Sequence, residues 1–274
     1  MSAVAVEWRK AVTTPTWWLL ALCAFLFIAL IGGLVTMNIT GQVPDDLVYT
    51  EGGATHLVST PLEYIYSFAA RAGYVFPFLL GALLITAEYR HGTLSRSLLL
   101  SRSRLDFYTA KTVVGAGTGL AYGIAAAAVG GVTTAAVLTM RGISSDVGTA
   151  EIQGILLRTV AAFVLWALIG VGLGALLRNQ AVTIGVVLLF TLFIEPTLTS
   201  MGNENADLNT FAKYLPGAAS LSLVWPPTGS ETRGMGAALE SLGWVEGGLV
   251  LAAYAAVAVV AGYLVSLRRR DITS

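Results

Sequence analysis

The sequence is short of charge, cysteine and histidine, and each shortage excludes something. Only 12% of its 274 residues are Asp, Glu, Lys or Arg, half the ~25% of an ordinary soluble domain. Its one cysteine, Cys23, sits in an apolar run, so neither an intrachain disulfide nor a thiolate metal site is available. No G-x-x-x-x-G-K-[ST] loop is present, so the chain lacks the usual means of binding ATP. H-E-x-x-H and G-x-S-x-G are also missing, and nothing in the sequence reads as an enzyme. Sixteen basic residues balance sixteen acidic ones, for a net charge of +0, so the total is uninformative and only the placement of charge can be read; no nucleic-acid partner is expected. Lysine is scarce (Lys10, Lys111, Lys213) while Arg, Ala, Gly and Val are common, a usage that points to a GC-rich bacterial genome.

What the chain does have is grease. It is 55% hydrophobic, with a mean hydropathy of +0.74. The apolar residues lie in nearly uncharged blocks of about 20, the length that crosses ~30 Å of hydrocarbon. Six spans are expected, at about 17–37, 68–87, 113–139, 154–177, 181–200 and 246–267. The third is long enough to tilt or overrun a bilayer. The first has spanning length and no clean small-residue cleavage site, so it is read as retained. Thr14 as cap and Pro15 in the first turn would start it, with Trp17 and Trp18 at headgroup depth. The fold class is an all-α membrane protein, a single transmembrane domain over 1–274.

The placement of Lys and Arg sets orientation. One set of connections carries Arg9, Lys10, Arg90, Arg96, Arg102, Arg104, Lys111, Arg178 and Arg268 to Arg270, with few acids. The other holds most of the acids, among them Asp45, Asp46, Glu51, Glu63, Glu204, Asp207 and Glu231. The first set is expected to be cytoplasmic, which places both termini inside a plasma membrane. His56 and His91 then fall on opposite sides, so no zinc site is expected from them.

The cytoplasmic connection at 88–111 is basic, and Leu94, Leu98 and Leu105 recur in it at helical spacing. Gly92 and Thr93 can end span 2 and cap a new short helix. Two uses are open: a topology signal touching anionic membrane lipid, or a docking helix for a partner's groove. Glu88 stands at the lip of span 2, where a carboxylate needs hydration or a partner; Arg90, Arg102 or a partner's base would serve. Before span 1, over 3–14, Val4, Trp8 and Val12 recur every four residues opposite Glu7, Lys10 and Thr14. That pattern suits an interfacial elbow helix.

Arg71, Arg158 and Glu195 lie inside spans at outer-leaflet depth. The arginines can snorkel, or Glu195 can pair with one of them to latch an outer gate. Phe190, Phe193 and Trp166 would line a path or face lipid. Gly115, Gly119 and Gly123, and again Gly170 and Gly174, are four apart and let helix backbones approach closely. The outer segment 201–245 is too apolar for open solution, with Phe211, Tyr214, Leu221, Leu223 and Trp225. It is read as helices re-entering the outer leaflet.

Several of these stretches in their order resemble the permease subunits of ABC transporters of the second type, the drug, antibiotic and polysaccharide exporters. Glu88-x-x-x-Gly92-Thr93-Leu94, the leucine run, Ser101-Arg102 and Lys111 resemble that family's loop between spans 2 and 3. "GLGALLRNQAVTIGVVLLFTLFIEP" is similar to its fourth and fifth spans, "KYLPGAASLSL" to the segment before its last span, and "VEWRKAVTTPTWW" to its elbow helix. The resemblance implies a six-span half-transporter in a bacterial inner membrane, paired with a second identical or related permease. A separate ABC ATPase subunit would bind ATP and Mg. It would dock on a coupling helix, for which Glu88, Arg90, His91, Gly92, Thr93, Leu94, Leu98, Arg102 and Arg104 are the matching positions. The mostly apolar interior favours hydrophobic or amphipathic cargo. A secondary transporter or channel, and a non-transporting sensor or assembly subunit, are the rival readings. The first would want ionisable residues near the midplane, whereas here they sit near the ends.

Overall fold

The computed structural model describes residues 3–42, 47–93, 103–204, 206–225 and 242–268. Six helices in it are long and apolar enough to cross a membrane: Pro15–Thr40, Pro61–Arg90, Arg104–Met140, Ala150–Leu177, Gln180–Gly202 and Trp244–Val265. They are numbered here as spans 1 to 6. A short helix, Ala3–Thr13, precedes span 1. Span 3 starts at Arg104 rather than near 113, and its 37 residues reach about 55 Å at 1.5 Å per residue. The last part of the basic connection is therefore its first two turns. Span 2 is built from three helical pieces, interrupted at Ser67 and Tyr74. Pro15 opens span 1 after Thr14, whose backbone is extended as at a cap. The Thr14 hydroxyl, however, donates back to the Lys10 carbonyl at 2.6 Å instead of capping.

Local chemistry explains the reversal between spans 4 and 5. Arg178 is left-handed, at φ +55°, and its neighbour Asn179 accepts hydrogen bonds from the Ala181 and Val182 amides at 3.0 and 3.2 Å. That side chain satisfies two of the unpaired amides that start every helix, so spans 4 and 5 join across two residues.

Span 4 is the hub, packing against spans 2, 3 and 6. Glycine permits this. A Cβ on Gly81 of span 2 would overlap the Ala167 carbonyl of span 4, and one on Gly170 of span 4 would overlap the Phe78 carbonyl of span 2. Gly119 and Gly123 of span 3 sit on the backbone of span 4 in the same manner, each 2.9 Å from a Cα atom when given a Cβ. Trp166 is fully buried at the centre of this packing, not on a path. It stacks on Tyr74 with ring centroids 4.5 Å apart and donates to the Ser220 hydroxyl at 3.0 Å.

The all-α expectation fails at one place. Val48–Glu51 (β1) pairs antiparallel with Ala54–Leu57 (β2). Gly52 and Gly53 between them, at φ +61° and +84°, supply the two positive-φ positions of a tight hairpin turn. The hairpin docks on the connection between spans 3 and 4: the Ser144 amide donates to the Thr55 carbonyl at 2.7 Å, and His56 Nδ1 lies 3.0 Å from Asp146 Oδ2. Burial works against the ionised Asp146 carboxyl, but hydrogen bonds from Ser144 and His56 hold it below its ordinary 3.8. A carboxyl lowered on folding adds stability above its unfolded value and loses it as pH falls through the folded one. Asp146→Asn, which tolerates the left-handed backbone at this position, is therefore expected to raise Ser144 amide exchange at neutral pH. Taking the unmodified chain down through the folded value, which lies below the ordinary 3.8, is expected to lower the Ser144 protection factor once the intrinsic slowing of exchange in acid is divided out. Equal protection in both proteins at neutral pH would contradict the clamp.

Candidate functional site

Two charged sites stand out, one at each end of the bundle. At the end carrying the N-terminal helix, four ionisable residues meet. Lys111, 3% exposed, lies 2.5 Å from Glu7 Oε2 and 2.9 Å from Glu88 Oε1. Lys10 lies 2.7 Å from Glu7 Oε1 and 3.2 Å from Glu88 Oε1. Thr93 donates its hydroxyl to Glu88 Oε2 at 2.5 Å. Glu7 and Glu88 are each 6% exposed. The quartet is neutral as a whole, which is what lets it be buried. Lys10 is the member at the rim. Burial works against its charge, but Glu7 and Glu88 together raise its pKa, so it stays an ammonium and its contribution is lost only at alkaline pH.

Three elements position these groups. The N-terminal helix supplies Glu7 and Lys10 one turn apart. Span 2 supplies Glu88 in its last turn, and Thr93 follows Gly92, whose φ of +64° turns the chain back. Span 3 supplies Lys111 two turns in, after Ser103 caps the helix by accepting from the Asp106 amide at 3.0 Å. Beside the quartet a cavity of about 480 Å³ opens. Its walls are apolar, including Trp17, Leu80 and Leu84, and Lys10, Glu88 and Arg90 lie at its charged side.

The residues expected here from sequence are placed as follows. Glu88 meets Lys111, Lys10 and Thr93. Arg90, a partner suggested for it, donates to the Gln180 side chain of span 5 at 3.3 Å. His91 caps the end of span 2 and lines the cavity. Arg104 opens span 3. Leu94, Leu98 and Arg102 lie outside the described residues. On the N-terminal helix, Val4 and Trp8 are more than a third exposed and Val12 is half-buried. The buried face is instead Glu7 and Ala11, so Glu7 is turned inward rather than placed on a polar outer face. Sequence reasoning missed Lys111 as the central cation. The available signal was a lysine at the start of an apolar run, which calls for an acid nearby.

At the opposite end, spans 2 and 5 and the helix Pro216–Val224 line a cavity of about 390 Å³. Arg71 and Glu195 both line it. The latch expected between Glu195 and an arginine is not formed among the described residues. The Arg71 guanidinium lies 3.9 Å over the Tyr64 ring and donates to its hydroxyl at 2.9 Å. Arg158 donates to the Gly154 carbonyl at 3.0 Å, with its guanidinium 5.7 Å from the Trp244 ring centroid. Glu195 accepts through Oε1 from the Gly217 amide at the start of the helix Pro216–Val224.

The local helix geometry points Glu195 there. Thr183, Val187, Thr191 and Glu195 are all buried, a strict four-residue stripe. An α-helix turns about 100° per residue, so three such steps would swing Glu195 about 120° out of line. The π-helical turn Phe190–Ile194 takes up part of that swing, since its wider turn holds more residues. It also accommodates Pro196, which has no amide to donate, so span 5 continues through the proline rather than ending at it. Phe190 is half-buried in this turn and Phe193 is 64% exposed, so Phe193 does not line the cavity. Among the described residues no group of three or more His, Cys, Asp or Glu side chains is placed to hold a metal. No protein-family model matches this chain, and a search of curated proteins finds no match.

Proposed function

We propose that this chain is the membrane-spanning half of an ATP-driven exporter in a bacterial inner membrane, with both termini cytoplasmic. It moves a hydrophobic or amphipathic substrate and is driven by a separate ABC ATPase that carries the ATP and Mg. The ATPase docks on the connection between spans 2 and 3, and a second permease, identical or related, completes the path. The N-terminal helix acts as the interfacial elbow, and Pro216–Val224 belongs to the outer re-entrant segment.

The observation that carries this reading is the buried quartet. Glu88 and Thr93 flank the basic connection on one side and Lys111 on the other, and both are tied to Glu7 and Lys10. Force applied to the connection by a docked partner would pass to spans 2 and 3 and the N-terminal helix as one body. A topology signal alone needs surface arginines, not buried ion pairs.

The test is to purify the full chain from its host and identify what accompanies it. A stoichiometric protein with a phosphate-loop motif, lost when Gly92 and Leu98 are replaced, is expected; a homo-oligomer with no ATPase would favour the carrier or sensor readings. Glu88→Gln keeps the shape and the Thr93 hydrogen bond but removes a charge from the quartet. It is expected to insert normally and retain the ATPase, while stimulated ATP hydrolysis falls at least several-fold. Unchanged stimulation would exclude the quartet as the link.

A further inference from the structure

The cavity at the hairpin end contains an unresolved electrostatic problem. Arg71 Nη1 is buried with no hydrogen-bond partner, and so is Glu195 Oε2. Glu195 is 4% exposed. Its Oε1 takes the Gly217 amide and the carboxylate also feels the Ala218 amide, but Oε2 meets no donor within hydrogen-bonding geometry. Arg71 and Glu195 line the same cavity without forming an ion pair. Buried charged atoms without partners are costly, and more so at membrane depth. Such groups in a native structure call for a missing partner.

Their arrangement specifies that partner. An anion alone would satisfy Arg71 and be repelled by Glu195, and a cation alone would do the reverse. A group carrying both signs relieves both. Tyr74 and Leu221 contribute apolar wall, and the cavity opens beside a span whose Leu192 and Phe193 are 56% and 64% exposed. A tail leaving the cavity would therefore run along an apolar surface. We infer that this outer cavity is a headgroup site for a zwitterionic amphipath, with a phosphate at Arg71 Nη1 and a primary ammonium donating to Glu195 Oε2. The site stands independently of ATP-driven transport, because it requires only binding to the chain itself.

The experiment is native mass spectrometry of the full chain released from detergent. The probes are lysophosphatidylethanolamine, lysophosphatidylcholine and lysophosphatidylglycerol with the same acyl tail, and free phosphoethanolamine as competitor. All three lipids bring a phosphate, but only the first also brings N–H donors. The expected result is about tenfold tighter binding of lysophosphatidylethanolamine than of either other lipid, the effect of one charge-assisted hydrogen bond. Glu195→Gln still accepts the Gly217 amide and is expected to erase this preference. Arg71→Gln is expected to weaken binding of all three lipids. Competition by free phosphoethanolamine would mark a soluble headgroup ligand, and competition only by the lysolipid would mark a membrane one; the headgroup chemistry is the same in both. Equal binding of the three lipids by the unmodified chain would overturn the site and leave a water-filled cavity. So would a preference that survives Glu195→Gln. Selectivity in the unmodified chain is read without any variant, so a misfolded substitution does not protect the proposal. ATPase coupling does not enter the measurement, so its failure and that of the exporter reading are separable.

Discussion

Lys111→Met is expected to cost about 3–5 kcal/mol of stability, as removal of one member of a buried ion pair does. Lys111 is 3% exposed and touches both Glu7 and Glu88. Methionine fills similar volume, so the loss is electrostatic rather than a cavity. Two buried carboxylates would then share the rim residue Lys10, whose side chain is 43% exposed. Lys10→Met is expected to cost far less, about 0–1 kcal/mol, because water screens an exposed ammonium. The double variant Glu88→Gln/Lys111→Met returns the cluster to one acid and one base, and is expected to recover more than half of the loss. Unfolding midpoints of the purified chain in detergent test all three. Equal shifts for Lys10→Met and Lys111→Met would remove Lys111 from the centre of the cluster.

Gly81→Val and Gly170→Val are each expected to keep spans 2 and 4 from closing. The two glycines face one another's helices reciprocally, Gly81 against Ala167 and Gly170 against Phe78, and the obstructing atoms are backbone carbonyls. A side chain in the way can rotate aside; a carbonyl held in a helix cannot. Overpacking typically costs about 1–3 kcal/mol, and these sites belong at or above the upper end. The same substitution at Gly185, where an added Cβ meets nothing within 4 Å, serves as the control and is expected to be nearly neutral. The measurement is the yield of monodisperse protein and its unfolding midpoint. If Gly81→Val matches Gly185→Val, the backbone contact between spans 2 and 4 is not formed. The consequence would reach both ends of the molecule, because span 2 carries Arg71 to one cavity and Glu88 to the other.

Much of the architecture was readable from composition, since a bilayer imposes a length on every apolar run. Six such runs read as six spans, and the structure has six helices that meet the same requirement. The turn at Arg178-Asn179 was legible for a local reason, as an Arg-Asn pair separating two apolar runs leaves no room for a longer connection. The hairpin went unread in the sequence: a Gly52-Gly53 pair suits its turn, but its strands are only four residues each and their partner contacts lie beyond Met140. A proline such as Pro196 normally ends or bends a helix; the π-helical turn before it lets span 5 continue.

The charged sites divide along the same line. Glu88 was conspicuous in the sequence, because a carboxylate at the end of an apolar run must find compensation. Which group compensates it depends on three elements converging: Lys111 is 23 positions away and Lys10 is 78. The four-residue rhythm of Val4, Trp8 and Val12 identified an apolar face on the N-terminal helix, yet the face that packs inward is Glu7 and Ala11, with two lysines there to meet the carboxylate. Arg71 and Glu195 were likewise visible as charges within spans, but opposite signs at similar depth read as a pair. The tertiary structure separates them instead, since the Gly217 amide at the start of the helix Pro216–Val224 holds Glu195 and the Tyr64 ring holds Arg71. The sequence by itself determined how many times the chain is long enough to cross a membrane and which charges need partners, because both follow from the cost of burying polar groups. Only the tertiary structure decided who those partners are, because neutralising a buried charge depends on distances of about 3 Å between segments far apart in the chain.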